Sequence, residues 1–276
     1  MNSKFLNTTL FLFLLCVSPF LNAQTDTLLD CRYPVLNKKI QFFEFDIYQN
    51  IYAVDQNSTL LKLNKNGELI STFSNASYGT LASIQVLSPM KIFLFYKESG
   101  ILLFLNEQLA PITEPFYLFE KNYQHISLAA SSNSNQILLY DLLDSKVILL
   151  DFYMKEVSQN QLRIEDFNPI KIIPTSEKGF VFHDPNYGVL FFDSFGTIEK
   201  LIPLNIYSEI QIINNQLLFL ENDKWVEYDF KKMELRKMDL SKLIRFDKKI
   251  KSLKKTDSQL IGIDENGNLF ICYKNL

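Results

Sequence analysis

The stretch Ile51-Tyr52-Ala53-Val54-Asp55, followed by Leu60-Leu61-Lys62-Leu63-Asn64, decides the fold, because variants of both segments recur along the chain. The first pattern is a run of apolar residues that usually ends in an acid, and its six copies start 37 to 45 residues apart. They are Ile51–Asp55, Ile92–Tyr96, Ile137–Asp141, Phe180–Asp184, Leu217–Glu221 and Leu260–Asp264. The second pattern follows each copy after a short polar turn. Self-similarity at such a period indicates a repeat architecture.

Each pair of patterns is preceded by a third apolar segment, and the first five pairs are followed by a more polar one. β-Branched and aromatic residues favour strands, and Asn66-Gly67, Ser99-Gly100 and Asn266-Gly267 are typical turns between strands. Four strands in a unit of this length are typical of a propeller blade. We therefore predict an all-β fold, a six-bladed β-propeller of four-stranded blades. A β-sandwich with accidental spacing is the less favoured alternative.

The sixth unit stops after its third strand, at Leu276. An uncovered strand edge invites aggregation, and the spare strand-like segment is Thr27–Val35. We predict that this segment closes the last blade as its outer strand. Cys31 then lies beside Cys272, within disulfide reach, and two free neighbouring cysteines are the alternative. The predicted blades span residues near 40–80, 81–125, 126–168, 169–206, 207–248, and 249–276 with 27–35.

Residues 1–23 have the order of features that is typical of a secretory signal peptide. Lys4 is the only charge among the first 25 residues, the apolar run Leu10–Val17 follows, and Ala23 stands at the cleavage position. The run is shorter than the about 20 residues that span a membrane. We predict an exported protein, in the periplasm or at the periplasmic face of the outer membrane. Its mature chain, 24–276, would be one propeller domain without a transmembrane segment.

The composition narrows the class of protein further. Of 276 residues, 47% are hydrophobic and 21% charged, which excludes a disordered chain. The formal net charge of −3 argues against nucleic acid as a partner.

The sequence contains no recognisable catalytic motif, and we expect no enzyme, no cofactor and no metal site. The two histidines, His125 and His183, are too few for a propeller metal site. We expect His183 to be packed within a strand, whereas His125, at a connection between blades, could act as a single base. The acids Asp55, Asp141, Asp184 and Asp264 end strands, and we expect them to accept hydrogen bonds from turn amides. Asp264 with Asn266 and Asn268 imitates half of a calcium loop, and a plain turn is favoured.

One basic cluster, Lys248 to Lys255, stands out from the otherwise balanced charges. It could face an acidic partner, but a solvated loop and strand surface is the favoured interpretation.

The segments Phe45–Asp55, Leu61–Gly67 and Asp264–Phe270 resemble the repeats of six-bladed propellers of the NHL and YWTD-like (TolB-like) kind. The chain departs from that kind in having only 8 glycines. A small exported propeller of this composition is also similar to the envelope propellers associated with type IX secretion. That second resemblance implies binding to an outer-membrane β-barrel and occlusion or regulation of a secretion translocon.

Propeller ligands usually meet the face formed by the loops that enter the first strands and by the turns that join second to third strands. We call this the entry face. Its loops carry aromatic residues that we predict to bind a partner, with half of them folding inward as the alternative: Tyr78, Tyr117, Phe119, Tyr123, Phe167, Tyr187, Tyr207 and Phe246. Aromatic side chains on a rigid scaffold suit protein contacts. We therefore predict a non-catalytic propeller that binds another cell-envelope protein. A carbohydrate-binding or carbohydrate-active propeller and an inert repeat are the alternatives.

Overall fold

The computed structural model describes residues 28–132, 136–175, 179–193 and 197–273 of the chain. In these ranges the regular elements are β-strands and three short 3₁₀ helices, at Ala76–Tyr78, Leu118–Lys121 and Leu240–Lys242. No helix among the described residues is long and apolar enough to cross a membrane. The expected signal peptide lies outside the described residues.

The strands form six antiparallel blades in chain order around a ring, which confirms the six-bladed propeller. Strand β1 (Leu29–Arg32) belongs to the last blade. The first three blades are: blade 1, β2 (Ile40–Phe45), β3 (Ile51–Asp55), β4 (Leu60–Leu63) and β5 (Leu69–Phe73); blade 2, β6 (Ser83–Ser88), β7 (Lys91–Tyr96), β8 (Ile101–Leu105) and β9 (Phe116–Tyr117); blade 3, β10 (Ile126–Ser131), β11 (Ile137–Asp141), β12 (Lys146–Leu150) and β13 (Glu156–Gln161).

The remaining three blades follow the same order of strands from the channel outward. They are: blade 4, β14 (Lys171–Pro174), β15 (Phe180–Asp184), β16 (Gly188–Phe192) and β17 (Ile198–Ile202); blade 5, β18 (Ile210–Ile213), β19 (Gln216–Glu221), β20 (Lys224–Asp229) and β21 (Glu234–Asp239); blade 6, β23 (Ile250–Lys255), β24 (Gln259–Asp264) and β25 (Leu269–Tyr273), followed outward by β1 and then by β22 (Ile244–Arg245).

The core of the protein lies between the blades and is not a single central cluster. Each of six apolar clusters joins two neighbouring blades, and one of them packs Phe43 of blade 1 against Ile261 of blade 6. The second and third strands are almost wholly buried, whereas β21, the outer strand of blade 5, is exposed along its length. Burial of one large apolar side chain stabilises by about 1.5–3 kcal/mol, so these interfaces hold the ring together.

The N-terminal strand closes the ring as predicted. β1 pairs antiparallel with β25, and Cys31 lies directly opposite Cys272. The two cysteines form a disulfide with their Cα atoms 3.9 Å apart. The chain that arrives from blade 5 then adds β22 parallel to β1, so blade 6 has five strands where we expected four. Ile244 and Leu240 are buried there, and the extra strand covers the edge that β1 would otherwise expose.

The acids at strand ends have the turn role expected from the sequence. The Asp55 carboxylate accepts hydrogen bonds from the amides of Asn57 and Thr59, both at 2.9 Å. Asp184 and Asp264 accept equivalent bonds at their own turns. Asp264 also accepts a bond from the Tyr33 hydroxyl at 2.8 Å, which ties the N-terminal segment to blade 6.

Candidate functional site

Three of the eight predicted aromatic residues project into solvent from the entry face. Tyr207 is 74% exposed, Phe119 46% and Tyr117 40%. Phe119 lies in the 3₁₀ helix that begins at Leu118, whose side chain is buried and whose amide donates to the Gly100 carbonyl at 2.8 Å. Its ring packs over Gly100, where a Cβ atom would lie 3.1 Å from the ring. The aromatic side chain is therefore held by the turn beneath it.

Tyr207 is fixed in a comparable way. The neighbouring Ile206 is buried, and its amide donates to the Pro185 carbonyl at 3.2 Å. The Tyr207 hydroxyl donates to Asn186 Oδ1 at 3.3 Å, so the side chain leans on the turn of blade 4. Rigid aromatic groups lose little entropy when they are buried against a partner.

The other five predicted residues turn inward to different degrees. Phe167 is buried and packs edge to face on Tyr140, with ring centroids 5.8 Å apart. Tyr78, Tyr123, Tyr187 and Phe246 are half-buried. Phe246 stacks on a core ring, and burial together with the hydrogen bond to Glu156 raises the pKa of Tyr123 to about 12. These five residues hold the loops in place from within.

The opposite face, formed by the turns that join first to second and third to fourth strands, also exposes apolar side chains. Tyr153 is 86% exposed, Ile47 78%, Met90 69% and Tyr48 66%. The sequence analysis did not single out these residues, because single apolar residues in short turns carry no recognisable pattern.

The central channel holds a charged cluster that the sequence analysis missed. Glu44 of blade 1, Lys171 of blade 4, Glu209 at the start of blade 5 and Lys254 of blade 6 alternate in sign around a closed square. The Lys171 ammonium lies 3.1 Å from Glu44 Oε1 and 2.8 Å from Glu209 Oε1. The Lys254 ammonium lies 2.8 Å and 3.0 Å from the same two oxygens. We call these four residues the channel quartet.

Two further hydrogen bonds, one to the backbone and one to a side chain, anchor the channel quartet. The Lys254 ammonium donates to the Phe43 carbonyl at 2.6 Å, and the Ser252 hydroxyl donates to Glu209 Oε2 at 2.6 Å. Because Lys171 and Glu44 belong to opposite blades, their ion pair bridges the channel. Lys254 is 2% exposed, so the expectation of a solvated basic run is wrong for this residue. It is correct for Lys248 and Lys249, which are exposed.

The quartet members shift one another's ionisation. Burial alone would raise the pKa of Glu209, but the ammonium groups of Lys171 and Lys254 outweigh it and hold that pKa well below its usual range. Burial alone would lower the pKa of Lys171, but the Glu209 and Glu44 carboxylates raise it. Glu209 and Lys171 are therefore charged at neutral pH. The formal charges of the two carboxylates and the two ammonium groups in the quartet cancel.

The two histidines lie in different surroundings. His183 is fully buried as expected, its Nε2 lies 2.9 Å from the Ile206 carbonyl, and burial lowers its pKa. His125 is exposed at the connection between blades 2 and 3. Among the described residues no three His, Cys, Asp or Glu side chains are grouped as metal ligands would be.

Comparison with known proteins supports the fold alone. No family model matches the chain, and no curated protein matches its sequence. The WD40 domain of Neurospora crassa Pan2 is similar in structure, with a TM-score of 0.64 and 11% identity over 91% of this chain and 96% of that one. A streptogramin B lyase has a TM-score of 0.59 and 12% identity over 92% and 90%. BamB from Moraxella catarrhalis has a TM-score of 0.50 and 10% identity over 84% of each chain.

Proposed function

We propose that this protein is an exported, non-catalytic β-propeller that binds another cell-envelope protein through its entry face. The observation that carries the proposal is the set of three exposed aromatic side chains, Tyr117, Phe119 and Tyr207, on loops held by buried neighbours. Aromatic residues on a rigid support are typical anchors of protein interfaces. In this proposal the other five aromatic residues, which are buried or half-buried, support the loops of the entry face and make little direct contact with the partner protein.

The ion pairs made by the channel carboxylates support the proposal that the protein is not an enzyme. Glu44 and Glu209 each contact both lysines of the channel quartet within 3.1 Å. A carboxylate that acts as a general base or acid works best with a pKa near the operating pH. The pKa of Glu209 is instead held far below that range by its lysine partners.

The carbohydrate alternative receives less support from the channel. Sugar rings stack on aromatic faces, but the lining of the channel cavity contains one aromatic residue, Phe45, beside the five isoleucines Ile172, Ile173, Ile210, Ile212 and Ile213. Protein binding therefore remains the function we favour.

For the partner we propose an outer-membrane β-barrel, with occlusion or regulation of a secretion translocon as the specific role. The basis is the resemblance of the chain to exported envelope propellers, together with its closed ring. The Cys31–Cys272 disulfide fits an oxidising compartment outside the cytoplasm.

The test is crosslinked affinity purification of the tagged protein from the cell envelope, read by mass spectrometry. We expect one large β-barrel at near-equal amount, and at least about tenfold less of it with the double variant Phe119→Ala/Tyr207→Ala. The matched control is Tyr153→Ala, an even more exposed aromatic residue on the opposite face, which should leave recovery unchanged. The proposal would be contradicted if Tyr153→Ala reduced recovery of the barrel as much as the double variant does, or if the wild type recovered no protein. A glycan array would then test the carbohydrate-binding alternative.

A further inference from the structure

The central channel contains a cavity of about 230 Å³ that ends at the channel quartet. Its walls are mainly apolar, formed by Phe45, Val86, Ile172, Ile173, Pro174, Ile210, Ile212 and Ile213. Gln85 and Gln211 also line it, and each side-chain amide donates one hydrogen bond to a backbone carbonyl and accepts one from a backbone amide. Phe45, Val86 and Ile213 also line an adjoining hollow with Ile47 and Leu87 toward the opposite face. An apolar cavity of roughly 150 Å³ is large enough to bind benzene. The channel cavity therefore has room for a small organic molecule, and the hollow beside it mixes apolar side chains with polar ones such as Asp46, Thr256 and Asp257.

The inner end of the cavity offers one donor and one acceptor. An ammonium group has three N–H donors, and Lys171 uses two of them on Glu44 and Glu209. Lys254 uses all three, because it also donates to the Phe43 carbonyl. Both ammonium groups contact Oε1 of Glu44, so within the described part of the chain its Oε2 keeps its acceptor capacity. Glu44 and Lys171 both line the cavity.

We propose that this cavity binds a small neutral molecule with a branched apolar body and one amide group. The apolar body would lie against the isoleucine walls, the amide oxygen would accept from Lys171, and the amide N–H would donate to Glu44. A charged group is disfavoured because the formal charges of the channel quartet already cancel, and an added charge would lose hydration without gaining an unpaired countercharge there. The site opens toward the opposite face and does not depend on the proposed protein contact at the entry face.

Five isoleucines in the wall make the binding directly observable. We would label isoleucine methyl groups with ¹³C in the full mature protein and titrate three probes that share a tert-butyl body: pivalamide, pivalate and protonated neopentylamine. Pivalamide should shift the cavity methyl signals saturably in the millimolar range, as expected for so few non-hydrogen atoms. The two ions should bind at least about tenfold more weakly.

The variant Ile212→Phe fills the cavity and should weaken pivalamide binding by at least about tenfold. The control Ile198→Phe makes the same change on the exposed outer strand of blade 4 and should have no effect. Should Ile212→Phe fail to fold, Val86→Leu reduces the cavity from another wall and should also weaken binding.

Three results would overturn the assignment: no saturable shift with pivalamide, tighter binding of either ion, or unchanged binding in a folded cavity-filling variant. If pivalamide gives no saturable shift and Ile212→Phe also loses partner capture, a side chain of the partner occupies the cavity instead.

Discussion

Replacement of Lys254 by methionine tests the channel quartet, because it removes one charge and keeps most of the side-chain volume. The ammonium of Lys254 contacts Glu44 at 2.8 Å, Glu209 at 3.0 Å and the Phe43 carbonyl at 2.6 Å. In Lys254→Met two carboxylates share the single ammonium of Lys171, so the channel keeps an uncompensated negative charge. Removal of one partner from a buried ion pair costs about 3–5 kcal/mol.

The assay is urea unfolding at neutral pH, in which a shift of the midpoint at constant slope reports the change in stability. The matched control is Lys255→Met, the next residue, whose ammonium lies 3.3 Å from Glu227 with 46% of its side chain exposed. An exposed pair of this kind contributes about 0–1 kcal/mol. If Lys254→Met costs no more than Lys255→Met, the reasoning is refuted.

A second substitution separates charge from packing. Glu209→Gln removes one negative charge, so the double variant Lys254→Met/Glu209→Gln leaves only the neutral pair Lys171–Glu44. We expect the double variant to recover more than half of the stability lost in Lys254→Met, because a net charge in the channel, and not the loss of contacts, causes most of the cost. A strictly additive loss would contradict this explanation.

Three further predictions follow from the same structure. The double variant Cys31→Ser/Cys272→Ser should lose about 5 kcal/mol of stability, since the disulfide closes a loop across a sequence separation of 241 residues; a thermal melt unchanged by this variant would contradict it. Because the pKa of Glu209 is lowered in the folded protein, its contribution to stability is complete above about pH 4.3 and is lost as the pH falls below that value. Glu209→Gln should therefore flatten the acid limb of the unfolding free energy measured against pH, and an unchanged slope would refute the assignment. Gly262→Ala should destabilise by about 1–3 kcal/mol, because a Cβ atom there would lie 2.8 Å from the Ser252 carbonyl and overlap the Phe270 ring; calorimetry would detect the lower melting temperature.

The blades could be read from sequence because their signals are local. Alternation of apolar residues, acids at strand ends and Asn-Gly turns lie within a few residues of one another, and six copies reinforce the same interpretation. The closing strand and the disulfide could also be inferred, because only one spare segment was left for one incomplete blade. The strand β22 could not be, because Ile244–Arg245 is too short to show any alternation and pairs only because Leu29 is already in place beside it.

The candidate sites were less predictable than the fold. Phe167 and Tyr207 look alike in sequence, since each is an aromatic residue in a loop that enters a blade. One is buried against Tyr140 and the other is 74% exposed. The difference depends on the neighbouring blade, whose contact with the loop is not encoded within the loop itself.

The sequence by itself determined the number of blades and their strand order, because hydrogen-bonded hairpins join segments that are adjacent in the chain. It also determined which segment closes the ring, because one spare strand was left for one incomplete blade. Only the tertiary structure decided that Glu44, Lys171, Glu209 and Lys254 meet in the channel. The four residues come from four blades, and no period or spacing relates them. They become neighbours only when the ring has closed, and the low polarity of the buried channel then requires that their charges cancel.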